Sequence, residues 1–110
     1  MNFYKVDGKI VISDVPVGEV VTPNTTDGAY EKHVPVIEQT GEHVTVKVGS
    51  VAHPMLDVHY IEWIVLETAT GYQKHDLKPG DEPIANFAVT EPVVAAYEYC
   101  NLHGLWIAKA

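Results

Sequence analysis

Arginine is absent from the 110 residues, and cysteine occurs once, at Cys100. With only lysine as a strong cation and a formal net charge of −8, the chain lacks the basic footprint that nucleic acids and anionic membranes require of a partner. A lone cysteine has no internal partner for a disulfide. It fits a reducing compartment and leaves the thiol for core packing, metal binding or catalysis. Long apolar runs are also missing: none approaches the roughly 18 residues of a membrane helix. The first residues, Met1-Asn2-Phe3-Tyr4-Lys5-Val6-Asp7, do not follow the basic-then-apolar order of a secretion signal, so the expected location is the cytoplasm.

What is present is enough apolar sequence for one core, 46% of residues in a chain of single-domain length. Phe3-Val6 and Lys9-Ile12 flank Asp7-Gly8, a dipeptide that tolerates positive φ, and predict an N-terminal β-hairpin. Pro16, Gly18 and the stretch Thr22-Pro23-Asn24-Thr25-Thr26-Asp27-Gly28 then read as a linker or surface loop. Beyond it, short segments rich in Val, Ile and aromatics recur between turn signals: Val34-Gln39, His43-Val48, Val58-Thr68, Tyr72-Asp76, Ala85-Ala88, Val93-Tyr99 and Leu105-Ala108. That spacing predicts an all-β chain built as a β-sandwich. Thr90-Glu91-Pro92 could open a helix, but Val93, Val94, Tyr97 and Tyr99 favour a strand.

Six histidines are many for this length, and four sit beside turns or near the only cysteine. Cys100-Asn101-Leu102-His103-Gly104 sets a soft thiolate and an imidazole three residues apart at a strand end, a spacing that lets both reach one ion; Gly104 permits a sharp exit. Taken alone, the pair is as well explained by a buried thiol and a loop histidine. His53-Pro54-Met55 and His59-Tyr60-Ile61-Glu62-Trp63 add two imidazoles, although Pro54 interrupts any argument from strand parity. His33, in Glu31-Lys32-His33-Val34-Pro35, stands where the linker enters the first core strand. His43 and His75 are expected at the surface; Trp63 and Trp106 could shield a site at the histidines from water, but in apolar strands they are read as core residues first.

Together, in order and spacing, the segments around His33, His53, His59 and Cys100–His103 resemble the superoxide reductase family, also called desulfoferrodoxin or neelaredoxin, over residues 26–110. The resemblance implies an immunoglobulin-like β-sandwich holding one mononuclear non-haem iron through His33, His53, His59 and His103, with the Cys100 sulfur axial. It implies that Glu31 and Lys32 lie over the open position and take part in the reaction, a one-electron reduction of superoxide to hydrogen peroxide. Lys32 offsets Glu31, and the ferrous charge exceeds that of one thiolate, so the local charge stays positive on an acidic protein.

Fuller members of the family carry a second iron on four cysteines in an N-terminal rubredoxin-like module. Residues 1–22 contain no cysteine, so that centre cannot form here. The expected division is a metal-free hairpin arm over 1–22 and the iron-site sandwich over 23–110, with electrons from an external donor, a small redox protein such as rubredoxin. A homo-oligomer is expected on general grounds. Two rival readings remain at this stage. A cupredoxin-like electron carrier also places Cys-x-x-His late in a small sandwich, but no methionine follows His103 and two histidines would go unused. A non-catalytic metal-binding sandwich is the other, and metal analysis separates all three.

Overall fold

The computed structural model describes residues 1–27 and 32–110. Ten strands follow one another: β1 (Asn2–Val6), β2 (Lys9–Ser13), β3 (Glu19–Val21), β4 (Pro35–Thr40), β5 (His43–Val48), β6 (Ile61–Thr68), β7 (Gly71–Asp76), β8 (Ile84–Ala88), β9 (Val93–Cys100) and β10 (Gly104–Lys109). No helix occurs among the described residues, in keeping with the all-β expectation. None is therefore long and apolar enough to cross a membrane.

Two antiparallel sheets, β4-β5-β8 and β10-β9-β6-β7, form the sandwich. Their facing side chains make its core: Val44, Val46 and Val48 of β5 and Ala85 and Phe87 of β8 meet Ile61, Ile64 and Leu66 of β6 and Ala96 and Cys100 of β9. Alternation along β9 explains the division of labour. Ala96, Glu98 and Cys100 share the inner face, whereas Ala95 and Tyr97 turn outward into a second cluster with Trp63, Val65, Leu105 and Phe3. Phe3 brings the third sheet, β2-β1-β3, onto the outer face of β6 and β9, its ring 6.0 Å from Trp63 and 4.7 Å from Tyr97.

The N-terminal hairpin turns at Asp7-Gly8 with φ of 50° and 76°, the left-handed pair its sequence predicts. The arm is larger than expected, however. β3 pairs with β1 from Glu19 to Val21, a strand hidden in the sequence because only three residues separate Gly18 from the Thr22-Pro23 break. The segment after it is tied down as well: Asn24 N–H donates to the Leu105 carbonyl at 2.8 Å and its own carbonyl accepts from Ile107 N–H at 3.0 Å.

β6 begins at Ile61, three residues later than the apolar run from Val58 suggests. Leu56 and His59 exchange two backbone hydrogen bonds, 2.9 and 3.0 Å, which close a turn and keep Val58 out of the ladder. A register shift between Ile61 and Trp63 follows, so that Ile61 and Ile64 both reach the inner core.

Candidate metal centre

β4 starts, and β5 and β9 finish, at one end of the sandwich, and β6 starts there. The loops at that end carry His33, His53, His59 and His103. Their rings form a closed circuit, with centroids 4.5 Å apart for His33 and His53, 4.8 Å for His53 and His59, 5.1 Å for His59 and His103, and 5.0 Å for His103 and His33. The fully buried Cys100 Sγ lies 3.8 Å from His53 Nε2 and 3.9 Å from His103 Nδ1. Donor atoms of His33, His53, Cys100 and His103 all fall within 4.8 Å of one another. His59 lies outside that tightest group, but its ring completes the circuit and its Nε2 is sealed from solvent.

Local contacts set which nitrogen each ring offers. His53 Nδ1 stands 2.7 Å from the Pro54 carbonyl oxygen; a carbonyl only accepts, so Nδ1 carries the proton and the lone pair lies on Nε2, the atom facing the thiol. His103 presents Nδ1 to the same sulfur. His33 is held from both sides. Asp27 Oδ1 accepts the backbone N–H groups of His33 and Val34 at 2.6 and 2.8 Å, and Trp106 stacks on the ring at 4.7 Å and an interplanar angle of 13°.

Gly49 makes room for the same segment. A Cβ there would fall 2.6 Å from the Lys32 carbonyl oxygen, closer than side-chain carbons pack. Lys32 is half-buried, and Glu31 lies outside the described residues. His43 and His75 are exposed and take no part in the ring circuit; His43 contacts Asn86 and Thr45 on β8 and β5.

Three residues at the site escaped the sequence reading. Asn101 joins the Cys100–His103 loop to the His59 loop, its Oδ1 accepting from Tyr60 N–H at 2.9 Å and its Nδ2 donating to the Val58 carbonyl at 3.0 Å. Trp106 is half-buried against His33 rather than in the core, and its Nε1 donates to the His103 carbonyl at 3.1 Å. Glu98 is fully buried beside His33, its Oε2 3.4 Å from Nδ1; burial pushes its carboxyl up to about 9, with the charge of Asp27 adding to the shift. Trp63, by contrast, is a core residue, stacked between Phe3 and Tyr99.

Convergent imidazoles with one thiolate lie within the donor range iron accepts, and the fixed tautomer of His53 aims a lone pair where a metal needs one. Four rings around one sulfur also exceed what a three-ligand copper site would use.

The family model for desulfoferrodoxin matches residues 25–109. A desulfoferrodoxin homolog of Archaeoglobus fulgidus is 52% identical over 90% of this chain and 78% of its own length. The desulfoferrodoxin of Nitratidesulfovibrio vulgaris is 50% identical over 94% and 81%. Among solved structures, the superoxide reductase of Treponema pallidum superposes with a TM-score of 0.83 at 40% identity over 99% of both chains, so the N-terminal sheet is matched along with the sandwich. With the residues for a metal site gathered at one end of this β-sandwich, the chain belongs to the desulfoferrodoxin family of superoxide reductases, oxidoreductases whose cofactor is iron.

Proposed function

We propose that this chain reduces superoxide to hydrogen peroxide at one mononuclear iron held by His33, His53, His59, His103 and Cys100. The observation that carries the reading is the closed circuit of four imidazoles around one buried thiol. Bound in the ferrous state, iron supplies the single electron that superoxide takes up; two protons complete hydrogen peroxide. The protein's part is positioning and charge. Cys100 provides a donor shielded from water, while Asp27, Trp106 and Asn101 hold the loops that bear the histidines. The Lys32 ammonium would draw the anion in and order the water that protonates it, and Glu31 would offer a carboxylate as a further ligand to the oxidised metal.

Residues 1–22 contain no cysteine, so the electron comes from outside, from a small redox protein such as rubredoxin. The reading sets the chain in a reducing cytoplasm, where the lone thiol stays available, and as a homo-oligomer.

Metal analysis and oxygen measurement test it. About one iron per chain is expected with this donor set. With reductant, superoxide is consumed and peroxide released without oxygen. Oxygen released in half-stoichiometry with no reductant consumed would make the chain a dismutase. Cys100→Ser should abolish the thiolate-to-iron absorption of the oxidised protein, and His43→Ala and His75→Ala should keep iron and activity. An unchanged visible spectrum in Cys100→Ser removes the cysteine from the site.

A further inference from the structure

Among the described residues, three polar or charged side chains are buried: His33, His53 and Glu98. Two are candidate ligands, and the third touches one of them. Glu98 sits on the inner face of β9 between Ala96 and Cys100, opposite Ile64 of β6 and Trp106 of β10. Paired residues in a ladder share a face, so the carboxyl and the indole lie side by side. Both meet the His33 ring: Trp106 stacks on it, and Glu98 Oε2 approaches Nδ1 to 3.4 Å, just beyond the usual hydrogen-bond range of about 2.7–3.2 Å. Neither Glu98 oxygen makes a hydrogen bond within the described residues.

A buried carboxyl without hydrogen bonds is costly, and a leucine would fill an inner strand position without that cost. Plain packing therefore does not account for a glutamate here. A carboxyl oxygen that accepts from an imidazole fixes the proton on the facing nitrogen and leaves the lone pair on the other.

We propose that Glu98 is a positioning residue of the metal centre: its carboxyl Oε2 accepts the Nδ1–H of His33, presenting Nε2 to the metal and strengthening that nitrogen as a donor. The inference rests on His33 being a ligand and deepens that reading with a residue two positions before Cys100.

Zinc binding to the metal-free full-length chain, by competition with a chelator, tests this without superoxide chemistry. Glu98→Leu should weaken zinc binding by about 10–100-fold, the usual effect of losing a ligand's hydrogen-bond partner. Glu98→Gln keeps an amide oxygen in nearly the same volume, so it should lose less affinity and retain the Nδ1–H signal of His33 in proton–nitrogen NMR spectra. Thermal melts separate a folding defect from this role; if Glu98→Leu does not fold, the glutamine variant decides. Zinc affinity unchanged in a folded Glu98→Leu, or in Glu98→Gln where the leucine variant does not fold, overturns the proposal. A wild-type chain that binds zinc in a Glu98-dependent way yet does not reduce superoxide would instead defeat only the proposed activity.

Discussion

At one end of the sandwich His33, His53, Glu98 and Cys100 are buried, and three loops are laced to one another through Asp27, Asn101 and Trp106. At the other end Glu91 does a similar job in the open. Its carboxylate accepts from the hydroxyls of Thr68 and Thr70 and from Thr70 N–H, bonds of 2.5 to 3.0 Å that join the β6–β7 turn to the strand entry of β9. Both ends tie loops together with polar groups. Exposed bonds of this kind return little net free energy, because water competes for every partner, whereas buried ones are expensive to leave unmade. The difference teaches where function resides: the dry end holds donors at fixed positions, and the wet end only closes the fold.

Substitutions can set the scale of that contrast. The largest effect belongs to neither end. Leu66→Ala, in the fully buried core between them, should cost about 2–5 kcal/mol in denaturant unfolding, equally with and without metal. Gly49→Ala should come next, at about 1–3 kcal/mol, because the new Cβ meets the Lys32 backbone. Unlike the core variant it should lower metal occupancy at saturating stability, measured as iron per chain; retained occupancy would show that the Lys32-His33 segment adapts freely.

Lys32→Ala should act on rate alone. An ammonium about 6 Å from the substrate anion contributes roughly 2–3 kcal/mol at an effective dielectric of about 20, and less beside solvent. A slowing of about tenfold in the second-order reaction with superoxide follows, with iron retained and a weaker salt dependence. Wild-type rate and salt slope in the variant would make Lys32 an ordinary surface residue. The smallest effect is expected at the wet end. Hydrogen bonds from Thr68 and Thr70 hold the Glu91 carboxyl below its ordinary value of 4.5. A depressed folded-state value means that the unfolded chain binds protons first, so this contribution is present above 4.5 and is lost as pH falls through the folded value. Glu91→Gln should therefore flatten the acid limb of stability slightly and leave metal binding unchanged.

Much of this was legible before any coordinates. Apolar residues mark most of the sandwich segments because one face of each such strand must be dry; β7, exposed throughout, is marked by its turn signals instead. The Cys-x-x-His pair and the three upstream histidines are the candidate donors, and the fold gathers their side chains at one end. What sequence could not supply was register. β3 is too short to show a period, and the run from Val58 looks like strand although the Leu56–His59 turn claims its first residues. Trp106 acts on His33, 73 positions away, and Asn101 on Tyr60 and Val58, 41 and 43 positions away, partnerships invisible without the ladder. Glu98 was readable in principle: in Ala96-Glu98-Cys100 a charge interrupts an inward-facing triplet, and that break in parity is the signal of a group with a partner.

The Asn24 bonds to β10 carry a last consequence. β10 is the outer strand of the four-stranded sheet, and an outer strand normally presents bare N–H and C=O groups on which another chain can build. Here Leu105 C=O and Ile107 N–H are already taken by Asn24, so the chain guards its own border at the strand that carries Trp106. The opposite border, β7, is exposed along its whole length and bears Lys74, His75 and Asp76 in succession. Charge protects one side of this sheet and the protein's own backbone the other, so the four-stranded sheet resists extension at both of its borders.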